Sequence, residues 1–245
     1  MMKLLLTSSG ISNSSIQRAL VDLLGKPIAE ANALFVPTGI YPFSVGAAMA
    51  YRAICGKAPT PLCELGWKSL GLLELTALPS IDRNVWVPSV EETDALLVWG
   101  GDPLFLSYWM NKSGLPDLLS SMQRPVVYVG VSAGSMVVAP IFGETYHKPY
   151  QGTGSPLTRE DMTFPTGDGE VTMNFITARG AGFTDFALIP HANHKDRPDA
   201  SFAGASKWAA KLPVPVYAID DQTAIKVIGD SVEVVSEGEW KQFKA

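Results

Sequence analysis

The sequence predicts an α/β fold: a mostly parallel central sheet flanked by helices on both faces, with a C-terminal β-hairpin. Three observations predict it. Short, continuously apolar runs at residues 3–7, 94–99 and 126–129 read as strands covered on both faces, the pattern of a parallel sheet. Stretches with helical spacing separate these runs, and Gly, Ser or Pro clusters close them.

The first run, residues 3–7, ends in Ser8-Ser9-Gly10. A helix follows: Ile16, Ala19, Leu20, Leu23 and Leu24 fall on one face, Ser12 or Asn13 can cap it, and Gly25 then Pro27 stop it. Residues 33–36 form a second strand before Pro37-Thr38-Gly39, and Pro42 opens a helix of small residues through Met49 and Ile54. Residues 70–75 and 94–99 are the next strands. The latter stops at Gly100-Gly101-Asp102-Pro103, and a helix runs from about Leu104 to an exit at 111–114. Strand 126–129 leads into Gly130-Val131-Ser132-Ala133-Gly134. Beyond Pro140 the rhythm breaks, and the polar stretch from Glu144 to Gly169, or as far as Gly180, reads as a long excursion suited to a lid or specificity loop. Regularity returns with a strand at 186–189, a helix at 199–211 and a strand at 216–219. A hairpin of 224–228 and 232–235 about Gly229-Asp230-Ser231 closes the chain. With 245 residues, no repeat and no linker rich in Ser or Gly, one domain over 1–245 is expected.

Composition narrows the function. The chain is 47% hydrophobic and 18% charged, the range of a folded globular protein. Its net charge of −5, without a run of Lys or Arg, lacks the electrostatic footprint of a nucleic-acid binder. The N-terminus has too short an apolar run for a signal core or a membrane span, so the expected location is cytoplasmic and no membrane partner is expected. Two cysteines make no disulfide framework, and the three histidines fit no zinc spacing, so neither metal nor organic cofactor is expected.

Chemistry concentrates at Ser132. G-x-S-x-G between a strand and a short helix is the context of a nucleophile elbow, where small neighbours let the serine project from a strained turn. Free N–H groups at the helix start favour an oxyanion beside it. Gly100 and Gly101 end the preceding strand on the same rim, so their N–H groups, with that of Ala133, are the candidate oxyanion hole. A serine needs an imidazole to accept its proton. His191, at the end of the strand 186–189, ranks ahead of His194 and His147. For the orienting acid Glu144 is taken first, with Asp161, Asp168 and Asp185 left open.

These residues resemble peptidase family S51, the dipeptidase E and cyanophycinase group, whose fold is like that of class I glutamine amidotransferases. The resemblance is carried by Ala95-Leu96-Leu97-Val98-Trp99-Gly100-Gly101-Asp102, by Gly130-Val131-Ser132-Ala133-Gly134-Ser135, by Ile189-Pro190-His191 and by Tyr217-Ala218-Ile219-Asp220-Asp221-Gln222-Thr223-Ala224. It covers most of the chain in order. It implies a serine hydrolase with Ser132 as nucleophile, His191 as base and the N–H groups of Gly101 and Ala133 as oxyanion hole. Three positions depart from the family's aspartyl dipeptidases. Gly143 stands where their substrate-binding arginine would be, their acid would align near His147, and Asp102-Pro103 follows the glycine pair.

The expected function is therefore a serine peptidase cleaving a short peptide or amide through an acyl-enzyme, of dipeptidase or aminopeptidase-like type, with a small peptide as partner and a homodimer left open. Aspartyl specificity is not implied. The alternative is a catalytically inactive family member that binds a small molecule or a protein. An α/β-hydrolase esterase is a third reading, but it would need a histidine near the C-terminus, and none follows His194.

Overall fold

The computed structural model describes residues 2–148, 154–166 and 169–244. In chain order the elements are β1 (Lys3–Thr7), α1 (Ser14–Leu24), β2 (Asn32–Val36), α2 (Gly46–Ile54), β3 (Ser69–Leu72), α3 (Arg83–Glu92), β4 (Ala95–Val98), α4 (Pro103–Ser113), α5 (Leu115–Ser121), β5 (Val127–Val131) and α6 (Ala133–Met136). They continue as β6 (Ile141–Tyr146), β7 (Thr158–Thr166), β8 (Gly169–Arg179), β9 (Ala187–Ile189), α7 (Phe202–Ala209), β10 (Val216–Ile219), β11 (Thr223–Ile228), β12 (Ser231–Ser236) and β13 (Trp240–Phe243).

The central sheet has seven strands in the order β12-β11-β1-β5-β4-β2-β3. Strands β1 to β5 pair in parallel, and the hairpin β11-β12 adds two antiparallel strands at one edge. Alternation along buried strands explains the layers. In β1, Leu4 and Leu6 face the side covered by α3, α4 and α5, where they join Trp86, Val90, Leu104, Met110 and Leu118. Leu5 faces the other side and packs with Ile16, Leu20 and Leu23 of α1 and with Ala50 and Ala53 of α2. Burying each such leucine contributes about 1.5–3 kcal/mol. The stop signals act as the sequence implies: Asn13 caps α1 by accepting the Ile16 N–H, and Gly25 and Gly114 take left-handed φ values of 68° and 71° after α1 and α4.

Two smaller sheets, β13-β10-β9 and β6-β8-β7, each have three strands. The second corrects the expected excursion: most of residues 144–180 form an antiparallel sheet, with β8 central. Its signal is the alternation of Val171, Met173 and Phe175, and Phe175 packs edge-on against Trp208. Pro165 obscures the pattern in the sequence, yet β7 is an edge strand, where a missing N–H is tolerated. The helix expected from Pro42 begins only at Gly46, because the chain turns back on itself there: the Gly46 N–H donates to Phe43 O at 2.8 Å, and a Cβ on Gly46 would lie 2.2 Å from Ile40 O. Helices α3 and α5 and strand β13 go beyond the elements expected from the sequence.

Candidate active site

Strand β5 ends at Val131, and Ser132 follows with φ 51° and ψ −115°, outside the regions that side-chain-bearing residues favour. Such a conformation persists only when its surroundings hold it. Here the Ser132 N–H donates to Thr7 O at 3.0 Å, and the Ser135 hydroxyl donates to the same oxygen at 2.8 Å. Tyr128 Oη donates to Gly134 O at 2.7 Å. Close backbone approach demands the glycines: a Cβ on Gly134 would lie 2.1 Å from Val98 O, and one on Gly130 would lie 2.8 Å from Gly134 O.

The imidazole arrives from the sheet β13-β10-β9. His191 lies two residues beyond β9 and is in the left-handed region with φ 59°. Its Nε2 is 2.9 Å from Ser132 Oγ. Its Nδ1 is 2.7 Å from Asp221 Oδ1. Strands β9 and β10 pair in parallel, so the segments leaving them emerge side by side, and Asp221 lies two residues beyond β10. Asp221 thus reaches the imidazole from the segment 217–224, which carries the family resemblance in the sequence but no predicted site residue. The signal was present, since strand 186–189, a helix and strand 216–219 make a β-α-β unit whose two strands should be neighbours.

Burial pushes the Asp221 carboxyl up, but hydrogen bonds from His191 and Ser8, with the charges of His191 and His194, outweigh it and hold the group below its ordinary value. An ionised Asp221 beside Nδ1 favours the proton on that nitrogen and leaves Nε2 as the acceptor facing Ser132.

Glu144, first choice among acids, does not reach the imidazole. It lies in β6, where its Oε1 accepts Arg197 Nη2 at 2.9 Å and the Thr145 N–H at 2.9 Å. Burial pushes its carboxyl up, opposed by the Arg197 charge. Proximity to the elbow in sequence misleads here, because β6 carries the residue into a different carboxylate cluster. Arg197 Nη2 also bonds Asp199 Oδ2 at 3.2 Å. Asp161 is exposed in β7 and accepts from Asn174, Asp185 is exposed before β9, and Asp168 lies outside the described residues. His194 is exposed, its ring centroid 6.3 Å from that of His191, and His147 is exposed just after β6.

The glycine pair Gly100-Gly101 lies close against Ser132. A Cβ on Gly100 would lie 3.1 Å from Ser132 Cβ and 3.6 Å from its Oγ. Gly101 has φ 131°, and a Cβ there would meet Gly39 O at 2.1 Å. Ala133 opens α6, so its N–H has no acceptor within the helix. From Gly101 a cleft of about 360 Å³ extends past Asp102, Glu144, His147, Arg197 and Asp199. Asp102 caps α4, its Oδ1 accepting the Phe105 N–H at 2.8 Å. Burial pushes its carboxyl up to about 6, against the Phe105 hydrogen bond and with the help of the Glu144 charge.

Among the described residues no helix is long and apolar enough to cross a membrane. Solved structures that share the fold include two peptidases. A candidate peptidase E protein from Listeria monocytogenes EGD-e superposes with a TM-score of 0.62 at 15% identity, covering 97% of this chain and 100% of its own. A peptidase from an acI-B1 Actinobacterium gives 0.60 at 18% identity, covering 100% and 95%. No curated protein matches the chain. The model of peptidase family S51 matches residues 4–235, which with this fold places the chain in that family: it belongs to peptidase family S51.

Proposed function

We propose that the chain is a serine peptidase that cleaves a short peptide or amide through an acyl-enzyme, with Ser132 as nucleophile, His191 as base and Asp221, in place of Glu144, as the orienting acid. The observation that carries this reading is the continuous hydrogen-bonded series from Ser132 Oγ to His191 Nε2 at 2.9 Å and from His191 Nδ1 to Asp221 Oδ1 at 2.7 Å. Ser132 Oγ attacks the scissile carbonyl as His191 Nε2 takes its proton. Asp221 stabilises the imidazolium so formed. The N–H groups of Gly100, Gly101 and Ala133 surround the position where the oxyanion develops. His191 then protonates the leaving amine, and water, deprotonated by the same imidazole, releases the acyl group.

Two features argue against an aspartyl preference. Gly143 packs so tightly that a Cβ would lie 2.5 Å from Phe175 Cζ, leaving no room for an arginine at that place. Arg197, which does line the cleft, is already bridged to Glu144 and Asp199. A substrate carboxylate entering there would have to compete with both buried acids.

Ser132→Ala tests the reading. It should abolish fluorophosphonate labelling and hydrolysis of a dipeptide library while the melting temperature stays near wild type. Equal labelling of the variant would remove Ser132 from the mechanism, and an inert wild-type serine with measurable ligand binding would favour a binding module instead.

A further inference from the structure

We propose that Ser8 is a positioning residue, whose buried hydroxyl fixes His191 and Asp221 in the geometry that lets Nε2 receive the Ser132 proton. The proposal rests on the reading of Ser132 as nucleophile. Ser8 is fully buried and is the first residue beyond β1. Its Oγ accepts the His191 backbone N–H at 2.8 Å and donates to Asp221 Oδ1 at 2.7 Å. The same oxygen lies 3.3 Å from His191 Nδ1.

A hydroxyl can both donate and accept, and here it does each once. Accepting the His191 N–H ties down a backbone with φ 59°, which a side-chain-bearing residue adopts only under constraint. Donating to Asp221 gives Oδ1 a second donor beside the imidazole, so the carboxylate cannot swing away without losing a charge-assisted bond. The Asp221 backbone is held as well, its carbonyl accepting Ser12 Oγ at 2.6 Å.

The place of Ser8 in the chain matters as much as its bonds. Its neighbour Thr7 presents the carbonyl that holds the Ser132 N–H and the Ser135 hydroxyl. Two consecutive residues at the end of the central strand β1 therefore grip both halves of the site, Thr7 through its main chain and Ser8 through its side chain. The nucleophile comes from the central sheet, whereas His191 and Asp221 follow strands of the sheet β13-β10-β9. Ser8 is a direct polar link between them.

The test compares wild type, Ser8→Ala, Ser8→Thr, Ser8→Cys and Ser132→Ala of the full chain by the rate of fluorophosphonate labelling, separated into reagent affinity and maximal rate. Ser8→Ala should slow the maximal rate about ten- to hundredfold with the affinity unchanged. Ser8→Thr, which keeps the hydroxyl, should restore most of it. Ser8→Cys, which fills the space but is a weak donor, should not. Wild-type labelling by Ser8→Ala, or equal recovery by Cys and Thr, would overturn the proposal. If the alanine variant does not fold, the Thr and Cys comparison decides. Failure of the nucleophile reading shows separately, as equal labelling of wild type and Ser132→Ala.

Discussion

Asp221→Asn removes one charge at nearly constant shape and so isolates what the acid contributes. The wild-type carboxylate oxygen lies 2.7 Å from His191 Nδ1. Two unit charges at that distance attract by about 6 kcal/mol at an effective dielectric of about 20. The two side chains are 23% and 31% exposed, so water screens the pair, and about half of that attraction is a fair figure for the imidazolium formed during attack. The expected loss is therefore about 3 kcal/mol, or roughly a hundredfold in kcat/KM. Larger losses of about ten-thousandfold occur when an asparagine presents its NH₂ group and imposes the wrong tautomer. The hundredfold figure applies to the rotamer that places the amide oxygen at the Oδ1 position, where the Ser8 hydroxyl donates. The assay is kcat/KM on a peptide found by library screening, paired with the fluorophosphonate labelling rate. Glu144→Gln serves as the contrast, since its carboxylate bonds Arg197 and Thr145 and not the imidazole. A loss under tenfold for Asp221→Asn, or a Glu144→Gln loss of the same size, would refute the assignment of the acid.

Two further outcomes follow from the cleft and the glycine pair. Asp102 has its pKa raised from 3.8 to about 6, so the folded state holds this proton more tightly than the unfolded state. Its contribution is full below the unfolded pKa and is lost as pH rises through about 6, an effect of at most about 3 kcal/mol. Asp102→Asn keeps an N-cap oxygen and should flatten the stability profile between pH 4 and 7 in urea titrations, whereas an unchanged slope would show that Asp102 does not titrate in that window. Gly101→Ala should destabilise the fold by about 3 kcal/mol or more, since a Cβ would meet Gly39 O at 2.1 Å with φ at 131°. A melting temperature equal to wild type would contradict that geometry.

The parts of the fold that the sequence discloses are those with local causes. Strand β5 and the elbow are legible because a continuous apolar run and the glycine spacing both act within a few residues. The limits of α1 and α4 are legible because Asn13, Gly25 and Gly114 act on adjacent N–H and C=O groups. Asp221 is harder to read for the opposite reason, since its signal is not local but lies in the pairing of two strands. Its partner is His191, and the distance between them is set by the parallel pairing of β9 with β10. The dipeptide Asp220-Asp221 by itself looks like an ordinary turn, and Asp220 does behave as one, its Oδ1 accepting the Gln222 N–H and the Thr223 hydroxyl. Glu144 drew attention by its nearness in sequence to Ser132, and strand geometry then turned it toward Arg197.

The site is assembled across two sheets, and this places its precision in the packing between them. Ala133, Met136 and Val137 of the elbow share one apolar cluster with Ile189 and Ala192, which flank His191. Close-packed interiors have few alternative arrangements, so this cluster fixes the approach of imidazole to hydroxyl more firmly than a polar link alone could. The polar contacts then set direction. Thr7 O orients the elbow, and Ser8 and Asp221 orient the ring. A cavity opened at Ile189 would leave Ser132, His191 and Asp221 unchanged in the sequence and still loosen the packing that sets the Ser132 to His191 approach. Proton transfer depends on a heavy-atom separation near 3 Å, so Ile189→Ala, at a stability cost of about 2–5 kcal/mol, should also lower kcat at temperatures where the variant stays folded.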